Sequence, residues 1–545
     1  MDSTFRPALT LSVGKVLAFT ATFFIPVILV RIFSQSDFGT YKQIFLIFST
    51  VYLIAQFGMA ESLFYFVPSM PQQSGRLIAN SMLMLGLTGF LSGIGLIVAR
   101  PWIAHWFNNG DLAEYLTLLG WYVLLMIICS ALEIVTIARK EFSLGSMIYA
   151  ASDVTRAVLF IGLAVLGRDL KWLLWGAILL AVVRACLLLF YLIKRFGPAL
   201  RVDVRLLKNQ LGYAVPFGTA VVFEILNTNY HQYAVSHLFD AAQFAIYSVG
   251  CMQIPLVDFL ASPLASVLMV RMSETIHQGK SQQLIPIWHD AVRKLSFFFF
   301  PLVAWLLLIS HELIITLYKE NFEASVPIFM VWTTTILLAV FQSDSVLRVY
   351  AQTRFLLALK ILALTTNVCA IGFAISHFHM MGAVMTSVTV SLISKSLGLS
   401  RIKKLLHVSF AQLIPWKWLA LSLGVAFLST LPGVLLRAVW HLPNLASLAV
   451  SSLTLGAAYL GLLYGLNLLT EEERQEIRAK VHLAAGLAQT RRQEIRGRLH
   501  RIVASIQEAR RTAKLKANAA DRGSLSPDPL VGPKGAVNKD LTEFP

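Results

Sequence analysis

The chain has 545 residues, 57% hydrophobic and 14% charged, with a mean hydropathy of +0.68. A soluble domain carries roughly a quarter charged residues, so an ordinary soluble fold is excluded. The formal net charge of +17 would suit nucleic acid in a soluble protein, but among apolar segments basic residues are first an orientation signal, and no nucleic-acid partner is expected.

About 20 mostly apolar residues cross the hydrocarbon core. Fourteen segments of that kind follow one another, at 9–30, 41–67, 78–99, 113–137, 144–166, 171–193, 210–235, 244–270, 294–313, 325–347, 355–376, 380–400, 416–436 and 445–468. This is the pattern of an all-α polytopic membrane protein. The first segment lacks a cleavage site and is expected to remain as a transmembrane helix. With the N-terminus inside, Arg139, Lys140, Lys194, Arg195, Arg201, Arg205, Lys208, Lys395, Arg401, Lys403, Lys404 and others fall in cytoplasmic loops. Opposite them stand only Arg31, Lys42, Arg100, Arg168, Lys171, Lys319 and Arg437. This asymmetry places both termini in the cytoplasm, which for a bacterial chain means a multi-pass inner-membrane protein.

Between the first two segments lies Phe33-Ser-Gln-Ser-Asp-Phe-Gly-Thr-Tyr41, and 206 positions later comes Phe239-Asp-Ala-Ala-Gln-Phe-Ala-Ile-Tyr247. Six spans separate the copies, so both enter the membrane from the same side, as parallel repeats. The expected organisation is an N-lobe at 1–201, a C-lobe at 202–405, two further spans within 406–469 and a tail at 470–545. Two similar bundles enclosing a midplane site are a transporter architecture.

An ionisable side chain deep in a span is costly and tends to face a cavity or a partner. The first lobe holds Lys15, Glu61, Glu133, Asp153, Arg156 and Arg184; the second holds Glu224, Asp258, Asp344, Arg348 and Lys360. Asp153 with Arg156 and Asp344 with Arg348 are spaced to pair along one helix face and read as structural ion pairs. Glu133 sits near a helix end, within reach of Arg139 or Lys140. Glu224, Asn227 and His231 form a polar stripe on the seventh span, facing either a watery lumen or neighbouring helices as hydrogen-bonding glue. On the eighth, Cys251, Pro255, Asp258 and Ser262 share a face, with Pro255 placed to kink it. Lys15, Arg184 and Lys360 have no partner by sequence. The cavity candidates are therefore Lys15, Glu61, Arg184, Glu224, Asn227, His231, Asp258 and Lys360.

The four cysteines show no metal-binding or disulfide spacing, and no Walker, dinucleotide or His-Glu-x-x-His motif is present. Neither an enzyme, a cofactor nor a metal site is expected. After Thr470, apolar residues from Ile477 to Ile506 recur every three or four positions among Arg491, Arg492, Arg496, Arg498 and Arg501. That is a basic amphipathic helix suited to anionic headgroups or to a docking partner. The stretch from Asn518 to Pro545 has the composition of a disordered end.

Arg31 followed by a polar turn and Asp37-Phe-Gly-Thr-Tyr41, then Gly58-Met-Ala-Glu-Ser-Leu-Phe-Tyr-Phe-Val-Pro68 and Leu211-Gly-Tyr-Ala-Val-Pro-Phe217, carry a resemblance. The chain resembles the oligosaccharide flippases of bacterial polysaccharide synthesis, within the multidrug/oligosaccharidyl-lipid/polysaccharide exporter superfamily. The resemblance covers about residues 9–470. It implies alternating access, a polyprenyl-pyrophosphate-linked oligosaccharide as substrate turned from the cytoplasmic to the outer face, and polysaccharide polymerase or export proteins as partners. By analogy, spans thirteen and fourteen would supply a groove for the polyprenyl tail. The alternatives are a cation-coupled multidrug exporter of the same superfamily, a membrane-embedded polymerase or glycosyltransferase, for which no loop is long enough, and a scaffold acting through the tail.

Overall fold

A computed structural model describes residues 19–440 and 443–466; Lys15 and the basic tail lie outside them. The described residues are helical from end to end. In chain order the α-helices are α1 (Phe19–Ile32), α2 (Gln35–Gln56), α3 (Met59–Ser69), α4 (Ser74–Val98), α5 (Arg100–Trp106), α6 (Leu112–Ala138), α7 (Phe142–Gly167) and α8 (Leu170–Phe196). After the connection at 197–203 come α9 (Val204–Leu238), α10 (Ala241–Gly250), α11 (Pro255–His277), α12 (Leu284–Leu308), α13 (Ser310–Tyr318), α14 (Ser325–Thr333), α15 (Thr335–Ala339) and α16 (Ser343–Val349). The last are α17 (Thr353–Leu406), α18 (Phe410–Leu413), α19 (Trp416–Leu428), α20 (Leu431–Val439) and α21 (Asn444–Gly465). Among the described residues, 12 helices, some of them bent, are long and apolar enough to cross a membrane, and the shorter apolar α1 precedes them.

The repeated phrase builds the same helix start twice. Ser34 caps α2, its hydroxyl accepting the Asp37 amide, and Asp240 caps α10, its carboxylate accepting the Gln243 amide. Such caps satisfy amides that the first helical turn leaves without partners. Most of the aromatic fixed points are core: Phe38, Phe244 and Tyr247 are fully buried and Phe33 and Tyr41 nearly so, while Phe239 is partly buried. Phe38 packs on Tyr41, Tyr318 and Phe322. The two copies also meet, because a Cβ on Gly39 would run into the Ala241 backbone carbonyl. Only a residue without a side chain lets α2 and α10 approach this closely. Arg31 donates to the Leu317 and Thr316 carbonyls at 2.8 and 2.7 Å, joining the same end to α13.

Breaks in the helices have local causes. Phe57 and Gly58, both at positive φ, bend the second span between α2 and α3, and Gly58 lies against Ala214 and Phe217 of α9. The eighth span parts at Cys251–Ile254, and Pro255 starts α11, where its missing amide costs no helical bond. α17 has non-helical backbone at His379. Since Gly382 then lies against Ala374, α17 is two antiparallel arms, matching the eleventh and twelfth sequence segments. Near its C-terminus α12 packs on α19 and α21, where the Trp418 and Trp305 indoles donate to Ser296 and Ser452 at 2.9 Å. Burying an indole is favourable only when its N–H finds an acceptor.

The connection at 197–203 is tied down by polar side chains. Asn80 of α4 accepts the Asp203 amide and donates to the Asp203 carbonyl and to Gln210, at 2.9, 3.0 and 3.2 Å. Asp203 caps α9, accepting the Arg205 and Leu206 amides, and meets Arg76 at 3.3 Å. The Leu206 amide first, then the Arg205 amide and Arg76, hold its carboxyl below the usual carboxylate range. A depressed folded pKa stabilises above the unfolded value of about 4 and is lost as pH falls through the folded one. Asp203→Asn is therefore expected to unfold at a slightly lower temperature than the native protein at pH 7, with the gap closing as the pH is lowered below about 4. Thermal unfolding in detergent across that range measures it.

Candidate functional site

A polar cavity of about 210 Å3 lies between α9, α14, α16 and both arms of α17. Four charged side chains meet there. Lys360, on the first arm of α17, reaches Glu224 of α9 at 2.7 Å and Asp344 of α16 at 3.4 Å. Lys395, on the second arm, reaches Asp344 at 3.3 Å and donates to the Ser343 hydroxyl. Three helical segments that a straight chain would hold far apart are joined by this chain of alternating charge. Lys360 and Lys395 are 35 positions apart yet share one carboxylate, which requires the reversal at His379.

The stripe on α9 splits between lumen and packing. Glu224, Asn227 and His231 all line the cavity. The Asn227 carbonyl accepts from Asn367 at 3.0 Å, and His231 is buried, its Nδ1 2.7 Å from the Tyr247 hydroxyl. Trp332 closes the deep end beside His231. Asn367 Oδ1 is buried without a protein partner, so the wall keeps a free acceptor. Asp258 opens onto an adjoining recess shared with Gln342, Ser391 and Lys395. Pieced together, the site offers two ammonium groups, two carboxylates held by them, amides, hydroxyls and one aromatic face.

Several expectations change. Asp344 does not pair with Arg348, which is exposed. α16 is only seven residues long, and Asp344 in its first turn turns to the two α17 lysines, whose charges offset the cost of burying it. Lys360 and Arg184, read as unpaired, both have carboxylate partners: Arg184 of α8 meets Glu133 of α6 at 2.7 Å. Glu133 therefore does not use Arg139 or Lys140; Arg139 turns instead to Glu141 at 3.2 Å. Asp153 and Arg156 do pair, at 2.8 Å, and Arg156 also reaches Thr22 of α1 at 2.9 Å. Glu61, at the start of α3, lies away from the charged cavity and has one carboxylate oxygen buried without a partner.

Sequence reasoning missed Lys395, Asn367, Ser387 and Ser391. Lys395 was counted among cytoplasmic-loop charges, although Ser387, Ser391 and Lys395 recur every fourth residue and mark one face of a helix.

The sequence model of the family described as "Polysaccharide biosynthesis protein" matches residues 28–327. The chain belongs to that family. No curated protein sequence matches it, so the remaining comparisons are structural. A lipid II flippase, MurJ, in an inward closed conformation superposes with a TM-score of 0.63 at 13% identity, covering 82% of this chain and 97% of that one. A multidrug resistance MATE transporter of the MOP superfamily, inward-facing, gives 0.53 at 12%, covering 72% and 99%. A MOP superfamily transporter from Pyrococcus furiosus, whose binding pocket is described as of reverse polarity, gives 0.52 at 12%, covering 74% and 96%. At these identities the likeness is one of fold. Family and fold together make the protein a multi-pass membrane protein of polysaccharide biosynthesis, built on the fold these structures share.

Proposed function

We propose that the protein flips a polyprenyl-pyrophosphate-linked oligosaccharide from the cytoplasmic to the outer leaflet, by alternating access of the two lobes at 1–201 and 202–405. The observation that carries this reading is the lysine pair of the charged cavity. Lys360 and Lys395 are both committed to carboxylates within one cavity. A pyrophosphate entering that space competes with Glu224 and Asp344 for the same ammonium groups, and lysine serves phosphate as a mobile point charge. The volume suits the charged headgroup and its first sugar; the rest of the glycan would extend into the space between the lobes. Asn227, Asn367, Ser387 and Ser391 offer hydrogen bonds to sugar hydroxyls, and Trp332 an aromatic face.

In this reading α9, α16 and α17 are locked together while the site is empty. Anion binding loosens the Glu224–Lys360 contact and lets α9 move relative to α17. The polyprenyl chain stays in lipid throughout, beside spans thirteen and fourteen.

The test is a proteoliposome assay with a fluorescent short-chain lipid-linked oligosaccharide, its outer-leaflet fraction read by a membrane-impermeant quencher. The full-length protein is expected to equilibrate the label between leaflets, and Lys360→Ala/Lys395→Ala to do so at least tenfold more slowly. Equal rates in protein-free and protein-containing vesicles, with folding verified, would sink the proposal. Multidrug export is the competing reading, favoured by the carboxylates Glu224, Asp258 and Asp344; resistance to cationic dyes on expression, without flipping, would select it. The engagement of Glu224 and Asp344 by lysine leaves little negative potential for a cationic drug.

A further inference from the structure

A second cavity lies on the flank of the first lobe, and no role has been assigned to it. It is a groove of about 650 Å3 between α7 and α8, with Leu132 of α6 at its floor. Its walls are apolar, and Met147, Val183, Leu187 and Phe190 are 64%, 47%, 52% and 65% exposed. Exposed apolar side chains on a membrane-spanning helix face lipid, not water, so the groove opens sideways into the bilayer. None of its lining residues comes from the second half of the chain, which separates it from the charged cavity.

The two ends of the groove are not apolar. Lys194 and Arg195 stand at one end, with Tyr191. Nearby, Glu141 accepts from Tyr191 at 3.0 Å and meets Arg139 and Arg195 at 3.2 and 3.4 Å. One carboxylate thus meets two arginines, with Lys194 alongside over the Phe190 ring, and the rim stays positive. Arg184 lines the other end, and its side chain is only 9% exposed. One guanidinium nitrogen bonds to Glu133, but Nε is buried with no acceptor. Unsatisfied buried donors are rare and point to a missing partner.

We infer that this groove binds one anionic diacyl phospholipid of the surrounding bilayer, its phosphate at Lys194 and Arg195 and an acyl chain along α7 and α8. Basic pockets between transmembrane helices recognise anionic headgroups by this combination of charge and apolar wall. Ten helical residues, about 15 Å, separate Arg184 from Lys194, so the positive rim selects the headgroup and Arg184 lies beside the acyl chain. The bound lipid would brace α7 against α8 and cover the one wall behind the Arg184–Glu133 pair, leaving that pair screened from the bilayer on both sides.

The experiment is native mass spectrometry of the full-length protein, stripped of lipid and offered equal amounts of phosphatidylglycerol and phosphatidylcholine. The native protein is expected to retain one phosphatidylglycerol in preference to phosphatidylcholine. Lys194→Gln and Arg195→Gln are each expected to cut that preference by about fivefold, the fold-change of removing one surface charge near an anionic headgroup. The basic tail is identical in all these proteins and cancels in the comparison. Val183→Trp, which fills the groove and leaves the rim charges in place, is expected to lose the bound phosphatidylglycerol, while Val183→Leu keeps it. The inference is overturned by equal retention of the two lipids in the native protein, by an undiminished preference in Lys194→Gln/Arg195→Gln, or by displacement of phosphatidylglycerol when a polyprenyl phosphate is added one to one.

Discussion

Lys360→Ala is expected to slow flipping at least tenfold and to lower stability by only about 1–3 kcal/mol, because the pair it breaks is partly wet. Breaking a fully buried ion pair costs about 3–5 kcal/mol. Here Glu224 is 50% exposed and Asp344 36%, so solvent screens much of the interaction, and exposed pairs are worth about 0–1 kcal/mol. Asp344 also keeps Lys395. A large transport defect with a modest stability defect would therefore assign Lys360 to the transported anion more than to the scaffold. Two further variants separate these roles. Lys360→Ala/Glu224→Gln removes the stranded carboxylate and is expected to recover most of the lost stability without restoring flipping. Lys360→Arg keeps the charge but replaces a compact ammonium with a planar fork, and is expected to retain intermediate activity. Recovery of flipping in the double variant would overturn the assignment.

What the sequence disclosed, and what it withheld, follows the distance over which each signal acts. Helix starts are local. Ser34 and Asp240 stand at equivalent places in the repeated phrase, and both cap as N-caps should. Apolar length is local too, and the spans follow it. The bends at Gly58 and Cys251–Ile254 sit where glycine and proline are written into the chain. Ion pairs are another matter. Asp153 and Arg156 are neighbours on one helix and do pair, but the same spacing logic failed for Asp344 and Arg348. The deciding groups, Lys360 and Lys395, come from another helix. Glu133–Arg184 and Glu224–Lys360 link helices that no periodicity connects. Arg184 and Lys360, read as solitary, were thus solitary only along the sequence. Lys395 shows the reverse error: a residue assigned to a loop by charge asymmetry lines the charged cavity and shares Asp344 with Lys360. The repeat itself did not mark the site, because its repeated aromatics are spent on packing and the charged residues have no counterparts in the first copy.

Gly39→Ala is expected to force the two copies of the repeat apart and thereby bias the transport cycle proposed for this protein. The methyl group would occupy the position of the Ala241 carbonyl, which is backbone and cannot rotate aside as a flexible side chain would. Overpacking of this kind costs about 1–3 kcal/mol or more. If the contact belongs to one state of an alternating-access cycle, that cost falls on that state alone and shifts the equilibrium by about 5- to 150-fold. Spin labels at Ser36→Cys and Gln243→Cys, exposed positions on the two helices, read the separation. The exposed Cys186 and Cys369 would first be replaced by serine. With Gly39 in place the distance distribution is expected to have a dominant short component, and with Gly39→Ala a longer component should take over, with flipping reduced. Gly86→Ala and Gly95→Ala serve as controls, since a Cβ at either meets nothing within 4 Å and alanine gains up to about 1 kcal/mol of helix propensity over glycine. They should leave the distances unchanged and unfolding no easier. An unaltered distance distribution in Gly39→Ala, in a folded protein, would mean that α2 and α10 move as one body, and the hinge between the lobes would have to lie elsewhere.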